Sequence, residues 1–343
     1  ALEFGLFDCL TGTIEYFKKD SKDLLFDVSQ PASVGVTSII QNIGKVTNSG
    51  VEIELDYNAF KNKDWSVSVG ANATFVKNKI KNLPATMKEN GYISGSKKWL
   101  EGKSIYEFWL RQWHGVDPQT GDGLYVADVS KYNQGNIGTG DGNITQSQFD
   151  EYKKTVVTID GKELTNSYTY AKYDFSGSSI PDVYGGFNVR VSYKNFDLAA
   201  VFSYQLGGQI LDTNYATMMS MTEFGYAQSP DLLKAWKQAG DITEVPRIDN
   251  SAAHTTNIGQ SYSTRWLTSS DYLNLRSVTI GYQLPKTWLS KVMLKSARLN
   301  LTAENLFMLK ARQGLNPMAN YSGVTYNEYM PSRNITLGLN VSF

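Results

Sequence analysis

The sequence is poor in the residues that most metal, disulfide and membrane-helix architectures require. Cys9 is the single cysteine among 343 residues, and only two histidines occur, His114 and His254. An internal disulfide and a cysteine-based metal site are therefore excluded, and a histidine-rich metal site is not supported. The sequence also has no apolar run near the roughly 18 residues that a membrane-spanning helix needs.

The chain also has no excess of positive or negative charge. The 33 basic residues balance 33 acidic residues, which argues against a nucleic-acid-binding protein because such proteins normally carry a basic excess. Prolines are few, at nine, whereas the chain has 29 glycines, 21 tyrosines, 15 phenylalanines and seven tryptophans. Aromatic residues together with glycine and small polar residues suit many strands joined by tight turns.

Alternation of apolar and polar residues is the dominant pattern along the chain, and it predicts β-strands. It is clearest at the end of the sequence, where every second residue is apolar: Ile335, Leu337, Leu339, Val341 and Phe343. The same alternation covers residues 51–59, 65–75, 187–193, 196–206 and 297–303. In residues 271–284 the parity slips near Ser277, which predicts a β-bulge. We count about ten strands, several of them longer than the usual five to six residues.

The predicted connections are short at one end of the strands and long at the other. The short ones lie near residues 8, 61–64 and 194–195, and the long ones at 27–40, 84–104, 117–181, 212–270 and 312–331. This asymmetry is typical of transmembrane β-barrels, whereas long loops are unusual in compact soluble domains. One long loop contains a predicted helix, residues 230–238, with Pro230 at its first position. Trp236 on this helix is suited either to docking a partner or to packing beneath the loop, and we favour packing.

The composition of the two parities indicates which medium each face contacts. The polar parity is rich in Ser, Thr, Asn, Gly and Glu, whereas soluble sheets usually present many Lys and Glu residues to water. We therefore predict a wide antiparallel barrel with an apolar face toward lipid and a polar face toward a hydrated lumen, closed because lipid cannot satisfy an open strand edge. Aromatic residues near strand ends are expected at the membrane interfaces: Tyr57, Trp65, Tyr193, Phe196, Tyr204 and Tyr282. A soluble β-sandwich is the alternative.

An ordered set of segments resembles the C-terminal half of the SusC/RagA family of TonB-linked outer-membrane proteins of Bacteroidetes. The segments are residues 42–55, 65–83, 115–122, 181–187, 193–198, 207–208, 245–247, 270–282 and 299–306. The resemblance implies an all-β, 22-stranded barrel plugged by an N-terminal domain, with short periplasmic turns and long extracellular loops. Residues 1–343 would supply about ten C-terminal strands, without the plug, the TonB box and the first strands. Since the chain begins within a strand pattern and has no starting Met or signal peptide, we expect a piece of a longer protein.

The resemblance also implies a function in the outer membrane. It implies a multi-pass, TonB-dependent importer of oligosaccharides or peptides that works with a SusD-like surface lipoprotein as its lid. TonB would act through the missing N-terminal part. The last strand resembles the insertion signal that the barrel-assembly machinery recognises, with Leu337, Leu339, Val341 and Phe343 as its residues. Two alternatives remain open: a β-rich surface module for binding or adhesion, and a small outer-membrane barrel enzyme.

Candidate substrate-binding residues lie in one aromatic stretch. Trp109, Trp113 and His114 are suited to stacking on sugar rings, and Arg111 to binding a carboxylate. Packing at the base of a loop, or an interfacial girdle, is the other interpretation of these aromatic residues.

Two further patterns bear on metal binding and catalysis. Asp141 and Asn143 resemble part of an EF-hand loop, but Ile137, Thr139 and Gln148 stand where ligands belong, so a plain turn and a weak Ca²⁺ site both remain open. Glu52, Glu54 and Asp56 are spaced by two on a strand, which predicts a row facing the lumen rather than two carboxylates flanking one bond. No nucleophile and base are paired in the sequence, so we predict that the protein is not an enzyme.

Overall fold

Nine antiparallel strands that form one large sheet dominate the computed structural model of the chain. The structure describes residues 1–29, 35–36, 38–139, 142–221, 225, 227–259, 262–289 and 294–343. The strands of this sheet are β1 (Leu2–Leu6), β2 (Leu10–Ser29), β3 (Ser38–Lys61), β4 (Trp65–Asn82), β5 (Val183–Tyr193), β6 (Phe196–Leu206), β7 (Tyr272–Gln283), β8 (Ser296–Lys310) and β9 (Asn334–Ser342). The sequence predicted about ten strands; the described sheet has nine.

Strand order in the sheet follows chain order from β1 to β9, and every neighbouring pair is antiparallel. One end of the sheet carries the connections 7–9, 62–64, 194–195 and 284–295, and the first three of these are only two or three residues long. The opposite end carries residues 30–37, 83–182, 207–271 and 311–333. The predicted asymmetry is confirmed. The loop predicted at residues 27–40 is shorter than expected, because Asp27 still pairs with Ile40 in the β2–β3 ladder.

Shorter elements fill the long connections. Short strands are Tyr92–Ser94, Lys97–Trp99, Glu107–Arg111, Trp113–Val116, Gly123–Val126, Val156–Ile159, Lys162–Thr165, Tyr173–Ser178, Gln209–Leu211 and Leu267–Ser269. The α-helices are α1 (Gln146–Thr155), α2 (Thr213–Met218), α3 (Ala252–Ile258) and α4 (Lys286–Leu289). The 3₁₀ helices are Ala85–Met87, Gln134–Asn136, Tyr168–Tyr170, Pro230–Lys234 and Thr264–Trp266. In the described part of the chain, no helix has both the length and the apolar character needed to cross a bilayer.

The helix predicted at residues 230–238 is wrong beyond its first turn. Pro230 occupies the expected first position and Ser229 caps the backbone N–H of Asp231, but the segment is a 3₁₀ helix that ends at Lys234. Ala235 then turns extended, with φ −56° and ψ 146°. Trp236 packs beneath the loop as predicted, since its Nε1 donates to the carbonyl of Pro118 at 3.0 Å.

One face of the sheet carries a continuous apolar row that nothing in the described structure covers. Residues directly opposite each other in an antiparallel pair share a face, and this places Leu198, Ile280, Leu301 and Leu337 in one row across β6 to β9. These four side chains are 38%, 48%, 44% and 74% exposed. A β-sandwich would bury this row against a second sheet, so the arrangement contradicts that alternative.

The opposite face is mainly polar. Thr302 lies between Thr279 and Thr336, with the hydroxyls of Thr279 and Thr302 3.0 Å apart. Nearer the short turns, Arg298 forms an ion pair of 2.6 Å with Asp197. Glu52, Glu54 and Asp56 follow one another on this face of β3. The carboxylates therefore form the predicted row.

The largest buried cluster lies in the long connections rather than in the sheet. Its residues come from three different loops: Phe108, Leu110, Leu211, Ala216, Met219, Ala235, Val245, Trp266 and Val324. The long loops thus pack into one folded body at their end of the sheet, which we call the loop body. The candidate site is built on it.

Candidate functional site

A small sheet in the loop body has one buried face and one open face. Its strands are Tyr92–Ser94, Lys97–Trp99, Glu107–Arg111 and Tyr173–Ser178. Alternation within Glu107–Arg111 sends Phe108 and Leu110 into the core, where both are fully buried. Trp109 and Arg111 consequently project from the other face, half-buried. Successive side chains of a β-strand point to opposite faces of the sheet, and this short strand follows that rule.

The open face carries alternating aromatic rings and cations, which we call the aromatic–cation ladder: Lys98, Trp109, Phe175, Tyr173, Arg111 and Tyr168. Phe175 and Tyr173 lie directly opposite Trp109 and Arg111 in the register. The Trp109 ring is stacked near Tyr173, with centroids 6.2 Å apart, and meets the edge of Phe175 at 4.9 Å. The Lys98 ammonium lies 4.1 Å from the centroid of Trp109.

Arg111 holds the far end of the ladder in place. Its guanidinium carbon lies 4.6 Å from the ring of Tyr173 and 4.8 Å from that of Tyr168. Arg111 Nε also donates to the carbonyl of Tyr168 at 2.9 Å. The backbone N–H of Tyr168 donates to Oδ1 of the buried Asn257 at 2.6 Å. The ladder is thereby fixed to α3, which makes it a preformed surface.

Lys97 lies on the core side of the same sheet. Its Nζ donates to the carbonyl of Tyr106 at 2.9 Å and to Ser179 Oγ at 3.3 Å, and it lies 3.2 Å from the centroid of the Phe108 ring. Burial lowers the pKa of Lys97 to about 7, although the nearby Glu107 carboxylate acts to raise it. Desolvation outweighs the attraction of the carboxylate because the charged form loses its hydration.

The structure places Trp113 and His114 outside the ladder. Both belong to the strand Trp113–Val116 of a different small sheet. The Trp113 ring meets Tyr125 edge-on at 5.1 Å and the Arg265 guanidinium at 4.7 Å. Trp113 thus has the packing contacts of a loop base, whereas His114 is exposed. Of the four predicted residues, the structure brings Trp109 and Arg111 together in the ladder.

A cavity of about 430 Å³ opens beside the end of the ladder, and we call it the loop cavity. Its lining includes Asp122, Asn166, Tyr168, Arg247, His254 and Asn257. Tyr168 belongs to both the ladder and the cavity. The volume lies within the range of about 300–1,000 Å³ that is usual for small-molecule sites.

Arg247 is the electrostatic centre of the loop cavity. Its Nη2 lies 3.2 Å from the Asp122 carboxylate and 3.1 Å from that of Asp249. His254 Nε2 lies 2.8 Å from the carbonyl of Arg247, and since a carbonyl only accepts, this nitrogen carries the hydrogen. His254 Nδ1 lies 3.8 Å from Asp122. The backbone N–H of Ser251, together with Arg247, holds the pKa of Asp249 below its usual value.

The turn that presents Asp122 depends on a glycine. Gly121 has φ +74°, and a Cβ at this position would collide with the ring of Trp236. The Asp117 carboxylate accepts hydrogen bonds from the backbone N–H of Gln119 and the hydroxyl of Thr120. Sequence reasoning did not find this cavity, because Asp122 and Arg247 are far apart in the chain. The segment Val245–Arg247 could have pointed to the cavity, but in the sequence analysis it served only as one of the segments that resemble the family.

The predicted metal loop is only partly described. Asp141 lies outside the described residues, and Asn143 is exposed. Across the residues that the structure describes, no three His, Cys, Asp or Glu side chains come together as a metal site. The weak Ca²⁺ site stays a prediction.

Comparison with known proteins places these features in context. Residues 2–141 match the family model described as "TonB dependent receptor-like, beta-barrel". The chain is similar to TonB-dependent receptor P3 of Formosa agariphila, with 28% identity over 361 residues that cover 100% of this chain and 33% of the relative. It is also similar to TonB-dependent receptor SusC of Bacteroides thetaiotaomicron, with 24% identity over 357 residues, covering 100% of this chain and 31% of SusC.

A solved structure shares the fold. The RagAB peptide importer in its "closed-closed" state matches with a TM-score of 0.77 and 25% identity, covering 99% of this chain and 34% of the matched chain. The chain thus spans about a third of the length of the relatives it matches.

Proposed function

We propose that this chain belongs to the TonB-dependent receptor family of outer-membrane β-barrels and that it forms part of the wall and loops of an outer-membrane importer of oligosaccharides or peptides. The observation that carries the proposal is the division of the nine-stranded sheet into an exposed apolar face and a polar face. A barrel wall with lipid outside and a hydrated lumen inside requires this division. The long loops, which all lie at one end, face the outside of the cell.

Each part of the chain has a role in this mechanism. The apolar row contacts lipid, and the polar face lines the route through the barrel. The loop body captures substrate, with Trp109 and Arg111 of the ladder and the exposed His114 as contacts and Trp113 as support. No step requires a catalytic group in this chain, since its part is binding and passage.

Two partners complete the importer. Similarity to SusC and to the RagAB importer supports a SusD-like surface lipoprotein that covers the loop end. TonB supplies the energy, acting through a part of the protein outside these residues. At the edge strand, Leu337, Leu339, Val341 and Phe343 serve the barrel-assembly machinery as the insertion signal; the first three lie on β9, Phe343 follows its last residue, and all four are exposed.

The test uses the full-length receptor in its own outer membrane. Cells are supplied with fluorescently labelled oligosaccharide and peptide pools, and uptake into the periplasm is compared with and without TonB. We expect TonB-dependent uptake of one pool, copurification of a surface lipoprotein, and heat-modifiable migration of the receptor in gels. Surface binding with no uptake would instead identify a binding or adhesion module and would refute the importer.

Single substitutions in the ladder test whether the substrate binds there. Trp109→Ala and Arg111→Ala should each reduce uptake about tenfold, because each removes roughly 1–2 kcal/mol of stacking or charge contact. Leu233→Ala, at a loop position that is 79% exposed, is the control and should leave uptake unchanged. Uptake that is unaffected by both ladder variants would remove the ladder from the substrate path without refuting the importer.

A further inference from the structure

We infer that the loop cavity binds an uncharged sugar unit of the imported substrate, so that the substrate is an oligosaccharide rather than a peptide. The inference rests on the proposed function and deepens it by naming the substrate class. It starts from the size of the cavity, about 430 Å³, and from its lining of amide, hydroxyl, carboxylate and guanidinium groups.

The charges around the cavity favour a neutral ligand. Arg247 is the only guanidinium among the described lining residues, and both Asp122 and Asp249 already pair with it. The two carboxylates therefore more than offset its positive charge. An anionic ligand would have to compete with both of them for Arg247. A neutral ligand only adds hydrogen bonds to groups that are already held in place.

The hydrogen-bonding groups suit hydroxyls, which both donate and accept. Asp122 offers acceptor oxygens, and Arg247 and the Asn166 amide offer donors; Asn166 Nδ2 lies 3.4 Å from Asp122 Oδ2. These three side chains thus place hydrogen-bond donors next to acceptors. Adjacent hydroxyls of a sugar ring can bind such a pair, because each hydroxyl both donates and accepts. The remaining lining groups include the hydroxyl residue Ser251.

A peptide fits this cavity poorly. Peptide side chains need apolar pockets for their anchors, but among the described residues that line the cavity, Ala253 is the only aliphatic one. An aromatic face is present in Tyr168, which is also the end of the ladder. A sugar chain lying along the ladder would thus reach the cavity with its terminal unit.

The test measures sugar binding to the purified full-length receptor in detergent. Maltose, cellobiose and lactose are titrated by calorimetry, together with a neutral tetrapeptide, each up to about 10 mM, the weak end of measurable affinity. The key variant is Ala253→Trp, which fills the cavity from an exposed position of α3. The matched control is Ala252→Trp, an equally exposed neighbour that does not line the cavity.

We expect at least one disaccharide to bind, a loss of affinity of at least about tenfold in Ala253→Trp, and no change in Ala252→Trp. The tetrapeptide should not bind. Absence of disaccharide binding, equal binding by both variants, or tetrapeptide binding that Ala253→Trp abolishes would each overturn the inference. These results are separable from the proposed function, because TonB-dependent uptake of the peptide pool would uphold the importer while refuting the sugar cavity.

Discussion

The rings of Trp65 and Tyr193 lie with their centroids 4.3 Å apart, where β4 and β5 meet the short turns. In the register, Tyr193 is opposite Phe196, and Phe196 is opposite Tyr282, whose ring is also 4.3 Å away. These four aromatic residues therefore form one row at the short-turn end of the sheet. Such a row matches the aromatic girdle of a barrel at a membrane interface.

The Trp65–Tyr193 contact should contribute coupling energy to folding. In the full-length receptor refolded into phospholipid vesicles, a double-mutant cycle with Trp65→Ala and Tyr193→Ala should give about 0.5–1.5 kcal/mol, the usual value for an aromatic pair. Denaturant titration provides the measurement. Trp65→Ala with the distant Phe307→Ala should be additive. A coupling near zero for the contacting pair would show that this ring contact does not stabilise the barrel.

Neighbouring positions on β9 should respond oppositely to a charge. Leu337 shares the apolar face with Leu301, whereas Thr336 lies opposite Thr302 on the polar face. Leu337→Arg should destabilise the barrel by about 2–4 kcal/mol because the charge enters lipid, and Thr336→Arg should cost far less. The same vesicle titration compares them. Equal costs would mean that the two faces do not meet different media.

The capping box of α1 should control the local stability of that helix. Thr145 Oγ1 accepts from the backbone N–H of Gln148, and the Gln148 side chain accepts from the N–H of Thr145. Thr145→Ala should cost about 1 kcal/mol, so amide exchange in Gln146–Thr155 should be about fivefold faster where it requires local opening. Thr145→Ser preserves the cap and should exchange like the wild type. Unchanged exchange in the alanine variant would contradict this account.

Lys97 should make the stability of the loop body depend on pH. Its pKa is about 7 in the folded protein and 10.5 when unperturbed, so between these values the unfolded chain binds more protons than the folded one. The free energy of unfolding therefore rises with pH across this window. Lys97→Met lacks this contribution, and its melting temperature relative to the wild type should fall as the pH rises from 7 toward 10.

Tryptophan fluorescence follows this melting. Lys98→Met, on the open face of the same strand, is the matched control and should keep the wild-type slope. If Lys97→Met also keeps the wild-type slope, the Lys97 amine is charged in the folded loop body at neutral pH and its burial has no titration effect.

Periodicity predicted the sheet well, because burial or lipid contact acts on every second residue of a strand. It even located the irregularity in β7, where Val201 pairs with Ser277 and Phe202 with Leu275, leaving Arg276 as the bulge. It failed at residues 235–238, since a single turn of 3₁₀ helix with a Pro start looks like the beginning of a longer helix. There the packing of Trp236 against the Pro118 turn decided the backbone.

The candidate site was predictable only in part. Trp109 and Arg111 were predictable because an aromatic ring can stack on a sugar and a guanidinium can bind a carboxylate. Their partners Phe175, Tyr173 and Tyr168 come from a distant segment, so the ladder itself could not be predicted. The pairing of Asp122 with Arg247 likewise joins two loops that local sequence does not connect.

The sequence by itself determined the two faces of this protein and the ends at which its connections are short or long, because alternation and turn residues act locally. Only the tertiary structure decided that the long connections pack into one body and that their side chains meet in a ladder and a cavity. Those arrangements follow from burial of Phe108, Leu211 and Trp266 in a shared core. Such packing depends on contacts between segments a hundred residues apart, which no local pattern specifies.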